Sequence, residues 1–376
     1  MEIISFEEIW LNIMFSPKAI IHLENLKYNY HLLKDQLNDV PIMAVVKANA
    51  YGHGVIEISR TLRDEGVKFF GVFTFSEALE LRSAGIDEEI LVFCRPSKEM
   101  IEIAYDKNIT LNLSDTDDLK LFRGNRFSPK FHLKLDTGMT RLGISLDESY
   151  KIIKIIKNET LKCHGIYSHY ATADEGDITY SEHQLDQFKT ILDFIKEIDL
   201  SINYIHFSNS GSIINIPHSS YNLVRVGMLL YGAYPSDEVS KDIPIKPVME
   251  FKGPVVSLRN IKAGTKVSYG GVWEAPKDTI IGVIQTGFAD GFPREWYING
   301  YISLKGKKYP IAGRVCMDQF MVDFGDAEVK IGDEVLIFGQ NNKDKILVDD
   351  IAKDIKSTSY VILSNIGGRT ERKYIN

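Results

Sequence analysis

The amino-acid sequence predicts an α/β protein: a (β/α)8 TIM-like barrel followed by a mostly β C-terminal domain. From about residue 24 to 240, short β-like runs alternate with amphipathic segments, which indicates parallel strands joined by right-handed crossovers. After about residue 243 helical periodicity becomes scarce, and β-like runs separated by glycine-containing turns follow. The chain has 376 residues, which is enough for one barrel and a smaller domain.

Eight candidate strands in the first part of the chain predict a closed barrel. They are 42–47, 69–74, 90–95, 109–113, 131–136, 163–169, 204–208 and 223–227. The helical segments between them are 55–65, 76–83, 99–106, 147–158 and 182–197, in which apolar residues recur at helical spacing. An open doubly wound sheet is the competing fold, and the lack of a GxGxxG motif after the first strand argues against it.

Pro244, Pro247 and Pro254 mark a change in character that we interpret as a domain boundary. We therefore expect an N-terminal extension over 1–17, a barrel over 18–243 and a β domain over 244–376. Residues 18–23 are a candidate extra strand of the β domain. The β-like runs of that domain are 247–258, 265–269, 279–286, 301–304, 309–323 and 334–338, with a helix over 347–355 and a hairpin tip at 341–344.

Composition and charge exclude several classes of protein. The net charge of −7 and the isoelectric point near 5.8 argue against a nucleic-acid-binding or anionic-membrane surface. Cys94, Cys163 and Cys316 are too few for a disulfide framework and suggest reduced thiols in the cytoplasm. No apolar run approaches the roughly 20 residues that span a bilayer. Acidic residues precede the short apolar segment 9–15, so we interpret it as mature protein.

Lys47 stands at the end of the first predicted strand and is followed by the turn Tyr51-Gly52-His53-Gly54. An amine at such an edge can be desolvated, its pKa lowered from about 10.4, and can then form a Schiff base. That chemistry suits pyridoxal phosphate (PLP). An isolated lysine here is more often a solvated strand end, and the glycine-flanked turn together with the residues downstream favours the cofactor.

Further polar residues follow other predicted strands, so all of them should meet at one end of the barrel. Arg225 lies on the opposite face from Val224 and Val226, and is either a buried ion-pair partner or a contact to the pyridine nitrogen of the cofactor. Since an arginine keeps its proton, that nitrogen would stay unprotonated and the cofactor would be a poorer electron sink. His169 is either a core histidine or orients Arg225.

Two short turns, Asn209-Ser210-Gly211 and Gly227-Met228, follow strands seven and eight. Their backbone N–H groups can bind a phosphate, and barrels often bind phosphate at this position. Each turn alone is weak evidence. The Tyr360 hydroxyl either donates a hydrogen bond to the phosphate, or Tyr360 only packs against neighbouring side chains.

Lys134 and Arg141 are seven residues apart across a glycine turn, and two cations in one site repel unless an anion joins them. A substrate carboxylate or a carbamate on Lys134 would be that anion, and a surface charge pair is the alternative. Tyr269, beside the turn at 270–271, is either a buried aromatic or a general base. The second role requires positive charge from His169 or Arg225 to lower its pKa.

Together these segments resemble bacterial alanine racemases from about residue 18 to 365. The resemblance is carried in order by AVVKANAYGHG, LKLDTGMTRLG, SHYATADE, NSGS, LVRVGMLLYG, KVSYGG, GFADG and AGRVCMDQ. It implies that Lys47 carries PLP and acts as one base, and that Tyr269 is the opposite-face base. In this family that tyrosine comes from the partner subunit, which implies a homodimer with shared active sites.

The resemblance also assigns supporting roles. It implies that the cofactor phosphate is held by Tyr51, Ser210, Gly227, Met228 and Tyr360. Arg141 and the backbone of Met317 would hold the substrate carboxylate, and Met317 would come from the partner subunit together with Cys316 and Asp318. Carbamylated Lys134 would position Arg141, and His169 would support Arg225. The implied reaction interconverts L- and D-alanine, which supplies D-alanine for peptidoglycan.

Two departures from the family pattern and several alternatives stay open. Phe288 stands where the family commonly has tyrosine, and the tail over 367–372 lacks the usual Pro-Arg ending. A racemase of another small amino acid such as serine is one alternative. A PLP-dependent decarboxylase of related fold is another, although it would place a carboxylate at the pyridine nitrogen and would use a glycine-rich phosphate loop. A non-catalytic PLP-binding barrel would lack the β domain.

Overall fold

The computed structural model describes residues 15–216 and 221–376, so most of the predicted extension lies outside the described residues. The described chain forms a nearly closed, eight-stranded parallel barrel followed by a mostly β domain. This confirms the predicted fold class. Within the described ranges, no helix combines the length and apolar character that crossing a membrane requires.

The eight predicted barrel strands are all present, and their residues are largely buried, as expected for parallel strands covered by helices. They are β2 (Ile42–Val45), β3 (Phe69–Val72), β4 (Glu89–Val92), β5 (Ile109–Leu113), β6 (Phe131–Lys134), β7 (Cys163–Tyr167), β8 (Tyr204–His206) and β9 (Val224–Val226). The order around the barrel is β8-β7-β6-β5-β4-β3-β2-β9. The barrel helices are Leu23–Gln36, Val55–Asp64, Phe75–Ser83, Lys98–Asp106, Leu119–Phe122, Leu146–Asn158, Thr179–Glu197 and Ser210–Asn215.

The seam of the barrel lies between β8 and β9, which do not form a regular ladder in the described residues. One backbone hydrogen bond joins β9 to the residues that follow β8: the Arg225 amide donates to the Ser208 carbonyl at 3.2 Å. The Arg225 side chain crosses the same seam and donates to the carbonyls of His206 and Phe207 at 3.1 and 2.9 Å. The Asn222 side chain also bridges the seam, because it accepts from the Ile205 amide at 2.7 Å and donates to the Asn203 carbonyl at 2.8 Å. Side chains therefore contribute much of the closure of the barrel.

The β domain is assembled from both ends of the described chain. Strand β1 (Lys18–His22) is antiparallel to β10 (Met249–Ile261) and parallel to β19 (Glu371–Ile375). The remaining strands are β11 (Lys266–Val267), β12 (Trp273–Glu274), β13 (Thr279–Ile284), β14 (Tyr301–Leu304), β15 (Lys307–Pro310), β16 (Phe320–Gly325), β17 (Glu334–Gln340) and β18 (Lys345–Ile346). Two helices, Val348–Asp354 and Ser359–Ser364, precede β19.

Two of the predicted β runs differ from the structure. The run 309–323 is not one strand: β15 ends at Pro310, β16 begins at Phe320, and Gly313 between them has a φ of +87°. The run 265–269 is cut to β11, because Ser268 and Gly270 adopt φ values of 66° and 75° and turn the chain. Both interruptions place irregular backbone, with the sequence-predicted residues Tyr269 and 316–318, at the surface of the domain.

Candidate active site

The C-terminal ends of the barrel strands surround a cavity of about 550 Å³, a size that suits a small organic ligand. All the barrel residues that the sequence singled out for the site line it, and Tyr360 joins them from the β domain. These residues are Lys47, Tyr51, Lys134, Arg141, His169, Asn209, Ser210, Arg225, Gly227, Met228 and Tyr360.

A left-handed turn presents Lys47 to this cavity. The four residues that follow Lys47, Ala48 to Tyr51, all have φ between 51° and 54°. Left-handed backbone costs an L-residue with a Cβ about 1–2 kcal/mol, so neighbouring groups must hold this turn in place. Glu77 accepts a hydrogen bond from the Ala48 amide at 2.6 Å, and Asn49 Oδ1 accepts one from the Val55 amide at 2.8 Å.

The environment of Lys47 makes its ammonium group easier to deprotonate than that of an ordinary lysine. Burial lowers the pKa of Lys47, and the nearby positive charge of Arg141 lowers it further. The carboxylate of Glu77 acts in the opposite direction on the same pKa and is the weaker influence. A neutral amine has the free electron pair that attack on a carbonyl carbon requires.

Lys134 and Arg141 both line the cavity, as the sequence suggested. Burial, assisted by Arg141 and Arg225, lowers the pKa of Lys134 to about 8. Asp136 shapes the loop between them, because its Oδ1 accepts hydrogen bonds from the amides of Gly138 and Thr140 at 2.9 and 3.0 Å. Lys134 is thus an amine that loses its proton more readily than an ordinary lysine, beside the Arg141 guanidinium.

Arg225 is buried and held by a set of acceptors that uses only its two terminal nitrogens. Nη1 donates to His206 Nδ1 at 2.7 Å. Nη2 donates to the Ser168 carbonyl at 2.8 Å and to His169 Nδ1 at 3.1 Å. None of the described hydrogen bonds uses Nε, although Arg225 lines the cavity. Burial lowers the pKa of Arg225 to about 10, so the group is charged at neutral pH and Nε–H is the donor left for a ligand.

His169 contacts Arg225, but it cannot supply positive charge to a tyrosine as the sequence allowed. Burial lowers the pKa of His169 well below its usual range, and the charge of Arg225 lowers it further. A neutral ring that accepts at Nδ1 carries its proton on Nε2. Of the two candidate sources of positive charge, only Arg225 is therefore charged near neutral pH.

A second group of residues forms the end of the cavity beyond strands β8 and β9. Ser210 Oγ accepts a hydrogen bond from the Gly227 amide at 3.2 Å, and Asn209 caps the helix Ser210–Asn215 through its side chain at 3.0 Å from the Ser212 amide. Gly227 is required here, because a Cβ at this position would come within 2.8 Å of the Tyr51 hydroxyl.

Tyr51 and Tyr360 face one another across this end, with ring centroids 5.9 Å apart. Burial raises the pKa of both hydroxyls above the usual range, so both keep their protons and can donate. Two hydroxyl donors, the Ser210 hydroxyl and the glycine turn provide neutral hydrogen-bond donors of the kind that bind a phosphate group. These residues therefore fit a phosphorylated ligand.

Apart from Tyr360, the predicted site residues of the β domain form a separate cluster outside the cavity. Ser268 Oγ donates to the Arg314 carbonyl at 2.6 Å, which joins the Tyr269 turn to the irregular segment that contains Cys316. Tyr269 is 68% exposed and Met317 is 56% exposed in the single chain. Neither residue is among those that line the Lys47 cavity. In the single chain, Tyr269 therefore does not contribute to this cavity.

Both departures from the family pattern fall beside this cluster. The Phe288 amide donates to the Cys316 carbonyl at 3.1 Å, and the Arg294 guanidinium lies 5.5 Å from the Phe288 ring. The atypical tail contributes Arg369, which pairs with Asp318 at 2.8 Å and with Asp290 at 3.1 Å. The tail thus orients the segment that contains Met317 and Asp318.

Sequence reasoning missed two residues that shape the site. Glu77 lies in the first turn of the helix Phe75–Ser83, where an acidic residue is common, so its presence there carries no signal of a further role. Its contact to the Ala48 amide joins the loops that follow two neighbouring strands. His206 lies two residues before Ser208, within a predicted strand, and its side chain faces the barrel interior. The alternation of β8 was a signal for His206, because it puts this histidine on the same face as Ser208.

Comparison with known proteins now bears on this geometry. The sequence matches the family described as "Alanine racemase, N-terminal domain" over residues 21–235 and that described as "Alanine racemase, C-terminal domain" over residues 248–374. The chain belongs to the alanine racemase family. It is 36% identical over 366 residues to the alanine racemase of Carboxydothermus hydrogenoformans, a match that covers 95% of this chain and 99% of the relative.

Other members of the alanine racemase family show similar agreement. The alanine racemase of Clostridium tetani is 37% identical, over 95% of each chain. The solved alanine racemase of Clostridium difficile 630 superposes with a TM-score of 0.88 at 34% identity, over 96% of both chains. The alanine racemase of Streptomyces coelicolor A3(2) gives a TM-score of 0.92 at 29% identity, over 98% of this chain and all of that one. The similarity therefore spans both domains.

Proposed function

We propose that this chain is a PLP-dependent alanine racemase that interconverts L- and D-alanine with two bases on opposite faces of the substrate. The observation that carries the proposal is the joint presence of Lys47 and Arg225 in one cavity of a chain of this family. Bound PLP supplies an electron sink that weakens the Cα–H bond of the amino acid.

Each residue of the cavity has a role in this proposal. Lys47 holds the cofactor through Nζ and exchanges a proton with the substrate Cα from one face, which suits its lowered pKa. The Nε–H of Arg225, which none of the described hydrogen bonds uses, would donate to the pyridine nitrogen of the cofactor and leave that nitrogen unprotonated, since an arginine does not give up its proton. A weak electron sink favours return of the proton over competing reactions.

The cofactor and substrate are oriented by the remaining residues. Tyr51, Ser210, Gly227, Met228 and Tyr360 hold the phosphate, with Asn209 fixing the helix that carries Ser210. Arg141 binds the substrate carboxylate together with the amide of Met317 of the partner subunit, and a carbamate on Lys134 would orient the Arg141 guanidinium. His169 supports Arg225 by the 3.1 Å hydrogen bond described above.

The second base is Tyr269 of a partner subunit, so the active unit is a homodimer. Its exposure in the single chain and its absence from the Lys47 cavity both support this arrangement. Because one base approaches from each subunit, the substrate need not turn over between proton removal and proton return. The proposed cellular role is to supply D-alanine for peptidoglycan in the cytoplasm.

Arg225 also separates this proposal from its closest rival. A decarboxylase of related fold is expected to place a carboxylate at the pyridine nitrogen, and here the cavity presents a guanidinium instead. Racemisation of serine or another small amino acid is left to experiment.

The test is hydrogen exchange at Cα. The protein is incubated with PLP and L-alanine in D2O, and exchange is followed by NMR with chiral analysis of the product. We expect deuterium at Cα together with D-alanine, and neither product with Lys47→Ala. Exchange without D-alanine would show a single base and would remove the role given to Tyr269.

A mixing experiment tests the shared site. Lys47→Ala and Tyr269→Ala chains are each inactive in this proposal, and a mixed dimer contains one complete site. Random exchange of subunits should restore about a quarter of the wild-type activity. If both variants fold and bind PLP but their mixture stays inactive, the two bases do not come from different subunits.

A further inference from the structure

A chain of buried hydrogen bonds leads from Arg225 away from the cavity toward the opposite end of the barrel. Arg225 Nη1 is 2.7 Å from His206 Nδ1, and His206 Nε2 is 2.8 Å from His132 Nδ1. All three side chains are buried. The ring of His206 is also stacked on Tyr167, with centroids 4.6 Å apart and planes 8° from parallel, so its orientation is fixed.

The protons along this chain follow from the chemistry of its first member. Arginine only donates, so His206 Nδ1 is an acceptor. Burial lowers the pKa of both histidines far below neutral pH, His132 to about 3, so each ring has one proton. His206 therefore carries its proton on Nε2 and donates it to His132 Nδ1. His132 in turn carries its proton on Nε2.

That last proton has no acceptor within the described protein atoms. His132 is 1% exposed, and its Nε2 has no hydrogen-bond partner there. Glu89 and His164 lie next to it, at the N-terminal ends of β4 and β7, with ligand atoms of the three side chains within 4.8 Å of one another. Glu89 Oε1 already pairs with His164 Nδ1 at 3.0 Å and accepts from Thr110 at 3.2 Å.

We propose that a water molecule bound between His132 Nε2 and the Glu89 carboxylate completes this chain, and that Glu89 is a positioning residue for Arg225. Two hydrogen bonds of about 2.8 Å at a tetrahedral water span roughly 4.6 Å. This span is compatible with the upper limit of 4.8 Å between the ligand atoms of the three side chains. The water fixes the proton of His132 on Nε2, and through it the proton of His206 on Nε2. His206 Nδ1 then always offers a lone pair to Arg225. The proposal rests on the proposed function only in giving Arg225 a role at the pyridine nitrogen.

A metal ion is the alternative occupant of the same three side chains. A metal ion would need the lone pair of His132 Nε2, so the proton of His132 would move to Nδ1. His132 would then donate to His206 Nε2, and the proton of His206 would move to Nδ1. Two N–H groups, one of His206 and one of Arg225, would then point at each other. The Lys130 ammonium, 3.9 Å from Glu89 Oε1, also opposes a cation. The proton positions therefore favour water.

Neutron diffraction from deuterated crystals of the PLP-loaded protein tests the proton positions directly. We expect deuterium on Nε2 of both His206 and His132, and a D2O molecule between His132 and Glu89. Deuterium on Nδ1 of either ring would overturn the proposal. So would an anomalous X-ray signal at this position from crystals soaked in Zn²⁺. This readout is independent of racemisation, so failure of the proposed function leaves it intact.

Variants of Glu89 test the positioning role. Glu89→Ala removes the acceptor, and we expect kcat for alanine to fall about three- to tenfold with KM unchanged, the size of one lost hydrogen bond. Glu89→Gln keeps an acceptor oxygen and should restore most of kcat. Lys130→Ala, which alters the charge beside Glu89 but no acceptor, is the matched control. The positioning role of Glu89 would be contradicted if Glu89→Ala and Lys130→Ala had equal kcat values, or if Glu89→Gln had a kcat as low as that of Glu89→Ala.

Discussion

The Glu77 carboxylate binds the backbone amide of Ala48, the residue that follows Lys47, at a distance of 2.6 Å. Its other oxygen accepts the amides of Phe73 and Thr74, both at 2.9 Å. One side chain therefore joins the loop after β2 to the loop after β3. The strained turn that presents Lys47 depends on this connection.

We predict that Glu77→Gln destabilises the fold by about 1–2 kcal/mol, because the amide group turns N–H donors toward backbone N–H groups and one acceptor is lost. Retention of PLP should weaken as well, since the Lys47 turn loses its anchor. Urea unfolding and dialysis of the loaded protein measure the two effects. Glu80→Gln, on the exposed face of the same helix, is the control. Unchanged stability in both variants would remove the role of Glu77 as an anchor.

Lys134 should make the stability of the PLP-free protein depend on pH in CO2-free buffer. Its pKa is about 8 in the folded chain and 10.5 for an ordinary lysine, so between these values the unfolded chain binds more protons. Stability should therefore rise with pH across this window, by about 3 kcal/mol in total. The free energy of unfolding in urea is measured for wild type and for Lys134→Met from pH 7 to 10.5. The contribution of Lys134 is the difference between the two proteins at each pH. A constant difference would show that Lys134 is solvated.

The same lowered pKa predicts that Lys134 reacts with CO2. A neutral amine at about pH 8 forms a carbamate, and the negative group would then pair with Arg141 and remove the repulsion between two cations. We expect a 13C carbamate signal after incubation with labelled bicarbonate, and its loss in Lys134→Arg. A signal that persists in Lys134→Arg would assign the reaction to another amine, Lys47 being the next candidate.

Arg369 should affect substrate binding more than stability. It is half-exposed, so its pairs with Asp290 and Asp318 contribute at most about 1 kcal/mol to folding. Asp318 follows Met317, whose amide is proposed to bind the substrate carboxylate. We predict that Arg369→Ala raises KM for alanine several-fold with little change in the urea midpoint, and that Arg369→Lys does so less. A large loss of stability with unchanged KM would reverse this assignment.

The fold and the cavity could be predicted because they depend on local patterns. Apolar runs of strand length and helical spacing identified all eight barrel strands, and the ends of parallel strands meet, so Lys47, Lys134 and Arg225 were expected together. The contacts of His206 could not be predicted in this way. They depend on the register between β7, β8 and β9, which no local pattern encodes.

Two further features lay outside the reach of sequence periodicity. The segment after Pro310 continues an alternating apolar pattern, yet positive φ at Gly313 breaks the strand, since a glycine inside a β run is compatible with either outcome. The neutral state of His169 depends on its burial beside the charge of Arg225. Burial of that kind is a property of the assembled barrel and is not visible in the residues around His169.

The pairing of β1 with β19 has a consequence for biosynthesis. Arg372, in β19, donates to the Gly52 carbonyl at 2.7 Å, 320 residues away along the chain, next to the turn that presents Lys47. A ribosome synthesises Arg372 320 residues after Gly52, so the barrel emerges before the turn after Lys47 has this contact. Until β19 is synthesised, Glu77 anchors the turn after Lys47 without help from Arg372, and a chain terminated before β19 would be released without the contact to Gly52.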